Sequence, residues 1–298
     1  MTKPPAQDSG NPDRPPSRGL ASRSALLLYI VVALMVLVPY LFWKGTWFGE
    51  ALTEKEFEEF LSPQAKPRKT QHALTQISEL ISKGQIDQAK RWYPRIATLA
   101  DHSTPEVRAT VAWVMGQDNT FQPFHSTLLN LLQDSNPLVK QNAALALVRF
   151  QDDVGRAELL RMLRPFTVVA AKDGLLMFRL KEGDVVNPGT MLARIQHPQS
   201  DEAFEVRSPV PGFFQAYLKE NRSPVHQGDP ILSVLPSEDQ VWEALRALYL
   251  VGRPEDLDVI RKQVDRAQYL SARIRQQAEL TIKAIQSRSS GTTAVSPG

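Results

Sequence analysis

The chain holds no cysteine, so thiol nucleophiles, thiolate metal ligands and disulfides are outside its chemistry. Its five histidines are His72, His102, His125, His197 and His226. No two are one helical turn apart, which a helix-borne zinc site would need. His197 and His226 fall in one β-rich segment and could approach each other, although solvated turn residues would look the same. The carboxylates are dispersed apart from Glu54, Glu56, Glu58 and Glu59, a cluster expected to be a solvated helix face. No phosphate-binding glycine loop, dinucleotide fingerprint or nucleophile elbow is present. No catalytic set, metal site or cofactor is therefore expected, and the chain reads as a non-enzyme. The formal net charge is +3 with no long Lys/Arg run, so nucleic acid is not an expected partner.

One apolar run dominates the N-terminal region. SALLLYIVVALMVLVPYLFW (24–43) carries no charge. Roughly 20 residues at ~1.5 Å each reach about 30 Å, the hydrocarbon thickness of a bilayer. It is longer than a signal-peptide core and lacks a small-residue cleavage site. Tyr29, Tyr40, Trp43 and Trp47 suit the headgroup zones. A transmembrane helix over 25–43 in contact with membrane lipid is expected. Lys3, Arg14, Arg18 and Arg23 precede it, against Lys44 and Lys55 just after it. The positive-inside rule then leaves the N-terminus in the cytoplasm. The bulk of the chain is expected on the outer face of an inner (cytoplasmic) membrane, periplasmic in a bacterium.

Residues 1–24 are Pro- and Ser-rich and are expected to be a disordered tail, as are 288–298. Residues 44–69 read as a juxtamembrane linker with a short helix opened by the capping box Thr53-x-x-Glu56. From 70 to 164 apolar residues recur at helical spacing, broken by Lys83-Gly84, Thr104-Pro105 and Asn136-Pro137. TPEVRATVAWVMG (104–116) aligns with NPLVKQNAALALV (136–148), and RIRQQAELTIKAI (273–285) repeats the pattern. A unit that cannot bury its own face must stack on copies of itself, which gives a solenoid. The Pro, V-[RK], A-x-x-L pattern resembles the HEAT-repeat family, with residues 70–99 as an atypical first pair.

At Pro165 the grammar changes to short Val-, Leu- and Phe-rich runs between glycine turns. DGLLMFRLKEG (173–183) aligns with PGFFQAYLKEN (211–221), and after a one-residue slip Gly189 matches Gly228. Gly174, Gly183, Gly189, Gly212 and Gly228 are expected at turns. Two such halves over 165–236 resemble the biotinyl/lipoyl-like barrel-sandwich domain. VRSPVPGFFQAYLKENRSPVHQGDPILSVL (206–235) resembles the corresponding segment of membrane-fusion adaptors and biotin carriers. GRAELLRMLR (155–164) lacks a helical partner until SEDQVWEALRALYLVG (237–252). The β module is therefore expected to be inserted within one helical repeat, with the array resuming over 237–287. The fold class is multidomain, α plus β: an N-terminal span, a HEAT-like α-solenoid and an interrupting β barrel-sandwich.

The lipoyl resemblance implies a lysine on the hairpin joining the halves. That segment is QHPQSDEAF (196–204) and has none, while Lys172, Lys181 and Lys219 lie elsewhere. A covalent carrier is not expected. What remains is surface for binding protein partners in the cell envelope, a transporter being one candidate. Trp92, Tyr93, Phe121 and Phe124 are the candidate anchors, because Trp and Tyr dominate interface hot spots. Trp113 and Trp242 sit where the repeat wants core residues. The leading reading is a membrane-anchored scaffold. The alternative is a periplasmic adaptor subunit of an export or efflux transporter. Such adaptors usually carry a long helical hairpin where this chain has only the short joining segment.

Overall fold

The computed structural model describes residues 19–45, 51–197, 203–265 and 271–293. It divides into two units, 1–52 and 53–298. In the first, helix α1 runs Gly19–Gly45 and contains Pro39. Its side chains are described over 26–40, and every one of them is exposed. Among the described residues no helix is long and apolar enough to cross a membrane. The stretch of α1 whose side chains are described, 26–40, falls short of the roughly 20 residues that a span requires. The tail 1–18 lies outside the described residues, and 19–24, expected to be disordered, belong to α1.

The second unit begins with α2 (Glu54–Phe60), which Thr53 opens. The Thr53 hydroxyl accepts from the Glu56 amide while the Glu56 carboxylate accepts from the Thr53 amide. This is the reciprocal capping box. Within the stretch expected to be a linker, this expected short helix is docked. Phe57, Phe60 and Leu61 are buried, and Phe57 stacks on Trp92 at 5.1 Å between ring centres. Its acidic cluster also finds partners. Glu54 pairs with Arg91 at 2.9 Å and Glu59 with Lys69 at 2.8 Å, and Arg95 donates to the Glu58 carbonyl.

Helices α3 (Pro67–Ser82), α4 (Ile86–Lys90), α5 (Tyr93–Thr98), α6 (Pro105–Met115), α7 (Gln122–Leu131), α8 (Pro137–Arg149) and α9 (Arg156–Met162) follow. Proline opens α3, α6 and α8, where its missing N–H costs nothing and its φ is already helical. Asn136 caps α8 by accepting from the Leu138 amide at 2.9 Å. After the β module come α10 (Glu238–Val251), α11 (Leu257–Asp265) and α12 (Ala272–Thr293). The tail expected to be disordered from 288 is thus helical through Thr293. Arg288 holds it by donating to the Tyr249 carbonyl at 2.7 Å.

The helices form two layers. An inner row, α3, α6, α8, α10 and α12, packs neighbour on neighbour, and α7, α9 and α11 cover its other side. Side chains stitch α8, α10 and α12 each to the inner helix before it. Asn142 donates to the Ala109 carbonyl at 2.8 Å, Gln240 to the Gln141 side chain at 2.8 Å, and Thr281 to the Leu245 carbonyl at 2.9 Å. Within a repeat, a residue near the start of the outer helix holds an aspartate in the loop after the inner helix. Tyr93 donates to Asp118 at 2.9 Å, His125 bonds Asp152 at 2.8 Å, and Arg156 donates to Asp256 at 2.7 Å. The partners are 25, 27 and 100 residues apart. The third pair reaches across the whole β module.

That module lies between α9 and α10, and the two helices pack against each other. Its strands are β1 (Phe166–Val169), β2 (Gly174–Phe178), β3 (Val185–Val186), β4 (Met191–Gln196), β5 (Ala203–Arg207), β6 (Gly212–Tyr217), β7 (Pro224–Val225) and β8 (Pro230–Pro236). They form two four-stranded antiparallel sheets, ordered β1-β8-β6-β3 and β5-β4-β2-β7. Exchanging the first four strands for the last four converts one order into the other. Both sheets feed one core that includes Leu176, Ile195, Phe214 and Val234. Hydrogen bonds repeat with the symmetry. The Phe214 amide donates to the Asp184 carbonyl, and the Leu176 amide to the Ser223 carbonyl. The Gly183 amide donates to Phe214, and that of Arg222, at φ 63°, to Leu176. Gly183 therefore corresponds to Arg222. The slip arises at Gln215, where the register of β6 on β8 shifts between Phe214 and Ala216.

Gly183, Gly189 and Gly228 occupy turns with φ of 86°, 84° and 91°. Gly174 and Gly212 instead begin β2 and β6. A Cβ there would run into the carbonyl oxygens of Gln196 and Leu235, which are also symmetry-related. Close approach of backbone to backbone, more than turn geometry, sets glycine at these two sites.

Arg108 clamps the first junction. Its Nε and Nη2 donate to the two oxygens of Asp134 at 2.6 and 2.9 Å, and its Nη1 donates to the His102 carbonyl at 2.7 Å. Burial alone would push the Asp134 carboxyl up, but the Arg108 bonds and the Asn136 amide outweigh it and hold it low. A depressed carboxylate contributes stability that is complete above the unfolded value of about 4. That contribution is lost as pH falls through the lower folded value. Asp134→Asn should destabilise the chain by ~1–3 kcal/mol at pH 7 and flatten the acid limb of the stability–pH profile. Urea denaturation between pH 7 and 2 measures both effects.

Candidate functional site

The expected aromatic anchors are brought together, but inside the protein. Tyr93 meets Phe124 at 4.6 Å and Phe121 at 5.2 Å between ring centres, and Phe121 meets Phe124 at 4.9 Å. Tyr93 and Phe124 are fully buried, Trp92 is 7% exposed and Phe121 is half-buried. This cluster joins α5 to α7 and, through Trp92, to α2. Burial removes Trp92, Tyr93 and Phe124 from the surface, so their role here is packing. The Tyr93 hydroxyl is pushed far up in pKa by burial and by its bond to Asp118. It is a fixed donor, not an acid.

The histidines and lysines do not gather. His125 bonds Asp152, the exposed His226 lies 3.6 Å from Asp173, and the His102 ring accepts from the Thr104 amide. His72 is buried next to Gln76, and burial lowers its pKa. Lys219 pairs with Asp229 at 3.2 Å, and Lys172 lies over the Phe204 ring. Among the described residues no three His, Cys, Asp or Glu side chains could hold a metal ion.

The inner row offers a different site. A groove of about 560 Å³ runs between α6, α8 and α10, lined among others by Trp113, Asn142, Leu145, Arg149, Arg246 and Leu250. A second hollow continues it at the C-terminal ends of α6 and α8, sharing Gly116, Val148, Arg149 and Leu250. Trp113, expected in the core, is 49% exposed and Leu250 is 61% exposed. The backbones approach closely beneath them. A Cβ on Gly116 would lie 2.7 Å from that of Ala146, which leaves the large side chains standing on the surface. Trp242 is half-buried, with the Arg246 and Arg273 guanidiniums at 4.4 and 3.7 Å from its ring. Guanidinium stacking of this kind fixes both partners. Leu250 and Trp113 were legible as helical apolar positions. Their exposure was not, because it depends on how tightly the neighbouring helix closes.

The family model of HEAT repeats matches residues 91–171, the stretch from the turn before α5 to just past the first strand of the β module. No curated protein matches the chain. HEAT repeats generally mediate protein–protein interaction and the family is generally non-catalytic, which suggests an interaction scaffold for the matched region. The groove between α6, α8 and α10 begins within that region.

The two aromatic environments separate core from surface experimentally. Phe124→Ala should cost ~3–5 kcal/mol by emptying a buried aromatic site. Trp113→Ala should stay within about 1 kcal/mol. Parallel chemical denaturation of the two variants checks the pair.

Proposed function

We propose that this chain is a non-catalytic scaffold, anchored to the inner membrane by residues 25–43, that docks protein partners of the cell envelope on its inner helical row. The observation that carries this is a repeat array with a large, partly apolar groove and, among the described residues, no gathered reactive side chains. The anchor rests on the uncharged run 24–43. Its described side chains, Leu26 through Tyr40, are all exposed on a helix whose backbone extends from Gly19 to Gly45. An apolar surface of that size needs lipid or protein to cover it. The flanking charges favour a cytoplasmic N-terminus and an array on the outer face.

The repeated halves and the exchange symmetry of the strand order support a biotinyl/lipoyl-like reading of the β module. Without a lysine in the joining segment it serves as an unmodified docking module. The same symmetry favours a second reading, a periplasmic adaptor of an export or efflux transporter. The short joining segment leaves no long hairpin with which to reach a channel. The adaptor reading predicts that deleting the gene impairs export or drug tolerance, whereas the scaffold reading predicts loss of an envelope complex.

The absence of cysteine makes topology directly measurable. A single cysteine at Glu79, on the exposed side of α3, should react with a membrane-impermeant maleimide in intact cells with a permeabilised outer membrane. One at Ser9 should react only after lysis. Equal protection at both sites, or the reverse pattern, would overturn the proposed orientation. Recovery of the chain in the soluble fraction would overturn the anchor.

A further inference from the structure

Most arginines at the helical junctions of this array are neutralised. Arg91 meets Glu54, Arg108 meets Asp134, Arg156 meets Asp256 and Arg253 meets Asp153. The groove is the exception. Arg149 and Arg246 line it, and Arg273 stacks on the Trp242 ring that Arg246 also meets. Among the residues that line the groove the one carboxylate is Glu243, 3.7 Å from Arg246 with both side chains about half exposed. Such an exposed pair neutralises little. Arg149 and Arg273 have no ion pair among the described residues. Trp113 and Leu250 line the same groove and are both strongly exposed.

Apolar surface ringed by arginine is the composition of an interface hot spot. Its charge selects the occupant. Guanidiniums beside an apolar floor match carboxylates flanking an apolar side chain, because arginine forks pair carboxylates with two parallel bonds. A nucleic-acid track would need a longer run of cations along the backbone.

We propose that the groove binds an acidic protein segment bearing an apolar anchor. The anchor packs between Trp113 and Leu250, and the carboxylates engage Arg149, Arg246 and Arg273. This deepens, and rests on, the docking role assigned to the inner row. Its charge requirement is separate from membrane anchoring.

The test titrates the full-length chain in detergent micelles against a fluorescein-labelled peptide, Glu-Asp-Leu-Glu-Glu-Leu-Phe-Asp, followed by anisotropy. The same peptide with lysine at every acidic position and a labelled oligouridylate serve as competitors of other chemistry. The acidic peptide should bind at least ~10-fold tighter than the lysine peptide, a difference worth about 1.4 kcal/mol. Combining Arg149→Glu with Arg246→Glu should weaken it by ~10-fold or more and shift preference toward the lysine peptide, with an unchanged melting curve. If that double variant melts early, Trp113→Ala takes its place and should lose binding by a similar factor. Equal affinity for the two peptides, binding that survives charge reversal, preference for the oligouridylate, or no binding of the acidic peptide up to millimolar concentration would each overturn the proposal. A chain that fractionates with membranes and retains an envelope partner, yet ignores the acidic peptide, keeps its docking role and loses this specificity.

Discussion

A helical repeat of this kind closes only when its outer helix lies against its own inner helix, since neither can bury its apolar face alone. The third repeat meets this condition under difficult circumstances. Its outer helix α9 and inner helix α10 are separated in sequence by the entire β module, yet they pack together and share a core with α8, α11 and α12. Leu159, Met162 and Leu163 on one side and Val241, Leu245 and Leu248 on the other are buried in that core. The bond from Arg156 to Asp256 completes it. Were this closure to fail, α12 would lose its support and the inner row would end at α8.

The closure has a geometric consequence for the module. Its own core is separate, built from both sheets, and its first and last strands, β1 and β8, are paired neighbours. Entry and exit therefore lie side by side, so a self-contained domain can be inserted without prising the repeat open. The Phe166–Val234 register places the two ends against the start of α10, where Ser237 forms a capping box with Gln240. Gln240 in turn bonds Gln141 on α8, so the cap that restarts the helix also anchors it to the repeat before.

Much of this was legible in sequence, and the gaps have physical reasons. The prolines at 105 and 137, the V-[RK] step and the spaced alanines mark inner helices because helix starts and close helix contacts restrict residue type. The internal match of 173–183 with 211–221 marked the two halves, and its slip proved to be a bulge at Gln215. Partners distant in sequence left no such mark. Nothing around Asp134 or Asp256 announces the arginines that hold them. The aromatic residues misled for a related reason. Tyr93, Phe121 and Phe124 look like anchors because aromatic residues dominate interface hot spots, but three large rings near one another bury each other first. Trp113 looked like core and is exposed, because glycine and alanine at 116 and 146 let the backbones close beneath it.

The account joins a continuous inner row to a function of docking, so its central claim concerns where a partner lies. The direct measurement is photocrosslinking in living cells from benzoylphenylalanine placed at 113 or 250 in the groove, or at 126 on the outer helix α7. The account predicts one discrete adduct of the same size from both groove positions and none from 126. Adducts of equal yield from 126, or different partners from 113 and 250, would contradict it.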